Sequence, residues 1–318
     1  MRGVILDRNS LGDADLTPLT SRLEGWEIHG STLESQTEER IRHCEVVLTN
    51  KVMLDQAVLE ASPSLRFIGI MATGTNNVDL EAARERKIVV CNARGYATNS
   101  VAQHTIGLML NLATQQHRYI ADTNANRWQE SDVFCRLDYT IIELAGKTLG
   151  IIGLGELGSA VAKLGQALGM TVLALRSENG VGSATIPRVS MEELLGKADF
   201  LSLHCPLTEA NTGLVDESFL AKMKSSAFLI NTARGGLIQT DALLGALDQG
   251  LIQGAAIDVL TKEPATPNEP LLAKPRPNLI VTPHNAWGAS ESRARLIDQL
   301  CENINAWQAG SPIRWVNP

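Results

Sequence analysis

Short apolar runs alternate with amphipathic stretches along the chain. "GVILD" (3–7), "CEVVLTN" (44–50), "RFIGIMATG" (66–74) and "KIVVCN" (87–92) are brief, β-branched and bounded by polar residues, which predicts buried strands. Between them, "DQAVLEAS" (55–62) and "NNVDLEAARER" (76–86) have helical spacing. One long helical pattern covers 100–125. A second series of strand-like runs then follows: "TLGIIG" (148–153), "TVLAL" (171–175), "FLSLHC" (200–205), "AFLINT" (227–232), "GAAIDV" (254–259) and "LIVTP" (279–283). Such alternation predicts parallel sheets with helices on their faces. The expected fold class is α/β: two Rossmann-like, doubly wound parallel-sheet domains with a cleft between them, the second built on these six strands.

The amphipathic tail over 288–310 comes after that second sheet is complete, so it is expected to pack back on the first domain. The resulting division is a discontinuous domain, 1–98 plus 288–318, and a central domain, 99–287. The chain would cross between them near 96–100 and 287–290, which implies a hinge above a ligand cleft.

Composition narrows the function classes. A length of 318 residues suits about two domains. The net charge of −7, without a basic cluster, argues against nucleic acid as a partner. No run approaches the roughly 18 apolar residues of a membrane span, and the N-terminus has no signal-peptide pattern. Five scattered cysteines without a CxxC or metal-ligand spacing suggest reduced thiols in the cytoplasm and no metal.

"GLGELG" places Gly153, Gly155 and Gly158 directly after an apolar strand and before a helical pattern, with Glu156 and Leu157 inside the turn. The first glycine permits the turn, the second lets a pyrophosphate approach the backbone, and the third lets helix and strand pack closely. This predicts a nicotinamide dinucleotide, NADP or NAD. In NAD-binding units the second strand usually ends in Asp or Glu, but here "TVLALRS" puts Arg176 and Ser177 at that position. A guanidinium and a hydroxyl suit a 2′-phosphate, so NADP is favoured. Glu178, two residues beyond Arg176, is the competing partner for a ribose.

Three later strand ends carry chemistry. "INTARGGLI" places Arg234, "IDVLTKEP" places Asp258 and Glu263, and "VTPHNAWG" places His284 just past successive strands. In a doubly wound sheet those ends line the ligand crevice. A carboxylate beside a histidine orients its ring and stabilises its charged form. A guanidinium holds a carboxylate and polarises a carbonyl. The set describes carbonyl reduction, with the proton coming from His284. His29, His43 and His117 have no such context. His104 and His204 are expected to be near the cofactor only as packing. Lys51, Met71 and Trp287 are candidates for shaping the substrate pocket.

"GLGELG", "LHCPLTEANTGLV", "INTARGGLI", "GAAIDVLTKEP" and "VTPHNAWGAS", in this order, resemble the D-isomer-specific 2-hydroxyacid dehydrogenases. "ATGTNNVDL", "SVAQHT" and "SDVFCRLDYTIIELAGKTLGIIG" are similar to the glycerate dehydrogenase/hydroxypyruvate reductase branch. The resemblance implies that His284 is the acid/base, Glu263 its partner and Arg234 the clamp. It further implies that the loop at Thr73 and Gly74 binds the substrate carboxylate. Cys205, Pro206 and the stretch Asn231, Thr232 and Ala233 would line the nucleotide, and Asp258 would hold its carboxamide or ribose region, which makes 99–287 the dinucleotide-binding domain and 1–98 plus 288–318 the substrate-binding domain. The implied activity is reversible reduction of hydroxypyruvate, and of glyoxylate, by a cytoplasmic homodimer. Other activities of the same family stay open, as does a dinucleotide-sensing protein of corepressor type.

Overall fold

In the computed structural model, which describes residues 1–23, 25–176 and 185–318, the N-terminal runs line up as a five-stranded parallel sheet. Its strands are β1 (Gly3–Ile5), β2 (Trp26–Ile28), β3 (Val46–Thr49), β4 (Phe67–Ile70) and β5 (Val89–Cys91), in the order β2-β1-β3-β4-β5. β1, β3 and β4 are buried along their whole length, as a sheet covered on both faces requires. β2 has no counterpart among the expected strands. It is three residues long, partly exposed, and pairs on one side only, Gly3 opposite Trp26.

The second sheet has seven parallel strands, not six. They are β6 (Thr148–Ile152), β7 (Thr171–Leu175), β8 (Arg188–Val189), β9 (Phe200–Leu203), β10 (Phe228–Asn231), β11 (Gly254–Ile257) and β12 (Leu279–Val281), ordered β12-β11-β10-β9-β6-β7-β8. The extra strand β8 is a two-residue edge that pairs with Ala174 and Leu175 of β7, too short to show in a hydrophobic pattern. Every position of β9, β10 and β11 is buried. The two faces carry separate apolar layers, one around Leu201, Leu229 and Leu243, the other around Phe200, Phe228 and Met109.

The 100–125 pattern is two helices, Thr98–Thr114 and Gln116–Asn124. The break is Gln115, which takes a left-handed backbone (φ 53°) and whose amide donates to the Leu112 carbonyl at 2.7 Å. A non-glycine residue in that region cannot continue a right-handed helix. The tail helix, Ser290–Gln308, packs on the first sheet. Trp307 lies 5.0 Å from the Phe67 ring, Asn303 donates to the Asn92 carbonyl at 2.9 Å, and Arg293 to the Leu11 carbonyl at 2.8 Å. The chain divides into two compact units, Met1–Ala97 with Gly288–Pro318, and Thr98–Trp287. No described helix is long and apolar enough to cross a membrane.

Candidate active site

The strand order of the seven-stranded sheet reverses between β6 and β9, and the glycine turn sits at that reversal. Gly153 has φ +97°, and a Cβ there would stand 2.5 Å from the Cys205 nitrogen. A Cβ on Gly158 would stand 2.1 Å from the Gly153 carbonyl oxygen. Backbone therefore closes both positions to any side chain. Gly155 differs: no atom of the described residues lies within 4 Å of its would-be Cβ. It is the N-cap of the Glu156–Ala167 helix, so open space faces the positive end of that helix. This is the geometry a pyrophosphate needs, and the turn fits a dinucleotide.

Glu156 is exposed and Leu157 half-buried in the first turn of that helix. Cys205 follows β9, and burial pushes its thiol above the usual range, which keeps it neutral. Pro206 is exposed, and its carbonyl accepts from the Asn211 amide at 2.8 Å. Arg176 is exposed at the C-terminal end of β7. Ser177 and Glu178 lie outside the described residues.

Three loops beyond β10, β11 and β12 converge. After β10, the wholly buried Asn231 side chain receives the Ala233 N–H at 3.0 Å and donates to the Arg234 carbonyl at 2.9 Å. That double contact locks the turn containing Thr232 and Ala233, both buried, and leaves Arg234 exposed. Gly235 then presses on the next loop: a Cβ there would meet the Leu260 carbonyl carbon at 2.1 Å. The same loop carries Glu263, whose Oε1 accepts the Leu260 N–H at 2.9 Å. Its Oε2 lies 2.6 Å from Nδ1 of His284. A carboxylate only accepts, so Nδ1 carries the hydrogen, and Nε2 is the atom left to exchange a proton. His284 is about 29% exposed, enough to meet a ligand.

His284 itself has φ 50°, an uncommon conformation for a side-chain-bearing residue. Asp258, 1% exposed, holds it there. Its backbone carbonyl accepts the His284 N–H at 2.8 Å. Its carboxylate accepts from Thr282 Oγ1 at 2.6 Å and from the N–H groups of Asn285 and Ala286 at 3.1 Å each. The buried carboxylate is thus turned toward the His284 loop.

Of the other anticipated residues, Thr73, Gly74, Lys51 and Met71 belong to the first unit. Thr73, exposed, and Gly74, half-buried, form the loop beyond β4, where the Thr73 carbonyl accepts the Asn92 amide at 2.7 Å. Lys51 is exposed after β3 and gives its backbone N–H to Asp7 at 2.7 Å. Met71 is wholly buried in the same unit. Trp287 is half-buried at the last position of the second unit. The expectation that His104 only packs is corrected: its Nε2 is 3.2 Å from Thr282 Oγ1. His204 bonds Ser202 Oγ at 2.8 Å while its buried Nδ1 has no partner among the described residues, and burial pushes its pKa down to about 4. Sequence reasoning missed Asn231 as the lock of the Arg234 turn and Gly235 as the contact between loops. The paired glycines of "RGGLI" were the available signal for the second.

Residues 106–286 match the family profile described as D-isomer specific 2-hydroxyacid dehydrogenase, NAD binding domain. The chain is 41% identical over 311 residues to a glycerate dehydrogenase of Methylorubrum extorquens, covering 97% of this chain and 96% of that one. It is 37% identical over 323 residues to a hydroxypyruvate reductase of Blautia hydrogenotrophica, covering both chains completely. Among solved structures, the TT0316 protein of Thermus thermophilus superposes with a TM-score of 0.87 at 32% identity, over 98% of each chain. With a dinucleotide turn at the sheet reversal and a Glu–His pair beyond the ends of β11 and β12, the chain belongs to the D-isomer specific 2-hydroxyacid dehydrogenase family.

Proposed function

We propose that the protein reduces hydroxypyruvate to D-glycerate, and glyoxylate to glycolate, reversibly. The names of its relatives support the substrate class. The observation that carries the chemistry is the 2.6 Å contact between Glu263 and His284 at the strand ends of the dinucleotide-binding unit. The Gly153–Gly158 turn would hold the nucleotide phosphates, with Cys205, Pro206, Thr232 and Ala233 beside it. When bound, the nicotinamide dinucleotide supplies the hydride for the carbonyl carbon. His284 gives the proton on Nε2 to the carbonyl oxygen, and in the reverse direction Nε2 takes the proton from the hydroxyl. Glu263 keeps the other ring hydrogen on Nδ1 and stabilises the ring while it is charged. Arg234 holds the substrate carboxylate and polarises its carbonyl. The backbone of Thr73 and Gly74 offers N–H groups to that carboxylate, and Lys51 and Trp287 shape the pocket.

His284→Ala and Arg234→Ala are each expected to lower kcat/KM for hydroxypyruvate about 10²-fold or more, with dinucleotide affinity little changed. Steady-state rates at 340 nm across hydroxypyruvate, glyoxylate and 3-phosphoglycerate test the assignment. Near-normal turnover by either variant, or a wild type inactive on both 2-oxoacids, overturns it.

NADP is the favoured coenzyme, because Arg176 stands where a ribose-binding acid would otherwise be. The wild type should prefer NADPH, and Arg176→Asp should lose much of that preference. A homodimer is supported by large apolar side chains left exposed on the second unit, among them Trp128, Phe134, Leu137 and Ile141. A monomer at micromolar concentration in the ultracentrifuge refutes it. The five unpaired cysteines suit a reducing cytoplasm.

A further inference from the structure

The Thr98–Thr114 helix is largely apolar and buried, yet its first half carries Ser100, His104 and Thr105. Each of the three is tied to a loop that carries catalytic chemistry. Ser100 Oγ donates to the Ala286 carbonyl at 2.6 Å, two residues beyond His284. One turn further on, His104 Nε2 is 3.2 Å from Thr282 Oγ1 and 3.5 Å from Asp258 Oδ1. Thr282 already gives its hydrogen to Asp258 at 2.6 Å, so only its lone pairs face His104, and Nε2 must carry a hydrogen. A directed chain results, from His104 through Thr282 to Asp258, and Asp258 in turn accepts the N–H groups of Asn285 and Ala286.

Thr105 reaches the other loop. Its hydroxyl donates to the Val101 carbonyl at 2.8 Å, so in its 3.1 Å contact with Thr232 Oγ1 the hydrogen comes from Thr232. Thr232 stands two residues before Arg234. Both threonines are buried, and buried hydroxyls without partners are costly, so these contacts are held and not incidental. Two adjacent residues of one helix therefore grip the loop of the acid/base and the loop of the arginine.

We propose that His104 and Thr105 are positioning residues that set His284 and Arg234 in register with each other. The proposal rests on the oxidoreductase reading above. A displacement of about 1 Å in a reacting group costs up to about 10²-fold in rate, so a register device of this kind acts on turnover and not on nucleotide binding.

The test uses the full chain with His104→Leu, His104→Gln, Thr105→Val and Thr105→Ser. His104→Leu and Thr105→Val should lower kcat on hydroxypyruvate about tenfold, while the dissociation constant of the reduced dinucleotide, read by fluorescence, stays within about twofold. His104→Gln and Thr105→Ser, which keep a donor or a hydroxyl, should recover most of the rate. In the protein without ligands, amide hydrogen exchange at Asn285 and Ala286 should quicken at least about tenfold in His104→Leu, and at Ala233 in Thr105→Val. Unchanged exchange overturns the proposal, as does unchanged kcat or a loss of nucleotide affinity equal to the loss in kcat. If the wild type turns over no 2-oxoacid, the oxidoreductase reading fails, and the exchange measurements still decide whether the helix grips these loops. Should His104→Leu not fold, the near-isosteric Thr105→Val carries the same decision.

Discussion

Both sheets reverse their strand order once, and the two reversals are built differently. In the five-stranded sheet the reversal lies between β1 and β3. There Asp7, nearly buried, takes the backbone N–H groups of Asn50 at 2.9 Å and Lys51 at 2.7 Å on its carboxylate. Burial pushes that carboxyl up, against the downward pull of the same N–H groups. In the seven-stranded sheet the reversal lies between β6 and β9, where Gly153 packs on Cys205 and Gly155 faces open space. One reversal is sealed by an acid of the chain itself. The other is left open by a glycine and keeps a buried His204 nitrogen without a partner among the described residues. Parallel topology supplies a crevice in both cases, but only donors that remain unclaimed can take up an anion.

Four measurements break or sharpen this contrast. The largest effect is expected from Gly158→Val, because any Cβ there meets the Gly153 carbonyl oxygen at 2.1 Å. Urea unfolding should show a loss of about 3 kcal/mol or more, and fluorescence titration no dinucleotide binding. Full stability in this variant would show that the open reversal is not held by backbone contact.

His204 comes next. Its pKa of about 4 lies below the ordinary 6.5, so the unfolded chain binds this proton first as pH falls. The stability tied to the neutral ring is therefore present above about pH 6.5 and lost progressively toward about pH 4, amounting to about 3 kcal/mol. In His204→Gln the acid limb of the stability curve should flatten. An unaltered limb places the acid sensitivity elsewhere.

Asp7→Ala leaves the Asn50 and Lys51 N–H groups without their acceptor and should cost about 2 kcal/mol, read by thermal or urea unfolding. A variant as stable as the wild type would mean that water seals the reversal equally well. The smallest structural effect belongs to Gly155→Ala. With φ −80° and no atom of the described residues within 4 Å, the methyl fits, and stability should stay within about 0.5 kcal/mol. Dinucleotide affinity should nevertheless fall about tenfold, because the methyl occupies the approach of the phosphates. Unchanged affinity would remove Gly155 from the binding turn.

Much of this was legible in the chain. Every strand long and apolar enough to be buried on both sides was recognisable, whereas β2 and β8 were not. Each is an edge of two or three residues whose pairing is decided by the neighbouring strand and not by its own pattern. The single helix expected over 100–125 broke at Gln115, since apolar spacing does not reveal one residue in a left-handed backbone.

The dinucleotide turn was legible in the sequence because its three glycines act within six residues: Gly153 for its φ of +97°, Gly158 for its contact with the Gly153 carbonyl, and Gly155 for the approach of a ligand. Arg234, Glu263 and His284 were readable for a related cause: residues that end successive parallel strands are delivered to one edge by topology. What only the tertiary structure decided is who holds them. Gly235 meets Leu260, His104 meets Thr282 across 178 positions, Thr105 meets Thr232 across 127, and Asp7 meets Asn50 across 43. Hydrogen bonds between distant segments leave no periodicity in either one. A serine, histidine or threonine in a buried helix states that a partner is required, and only the folded chain supplies its identity.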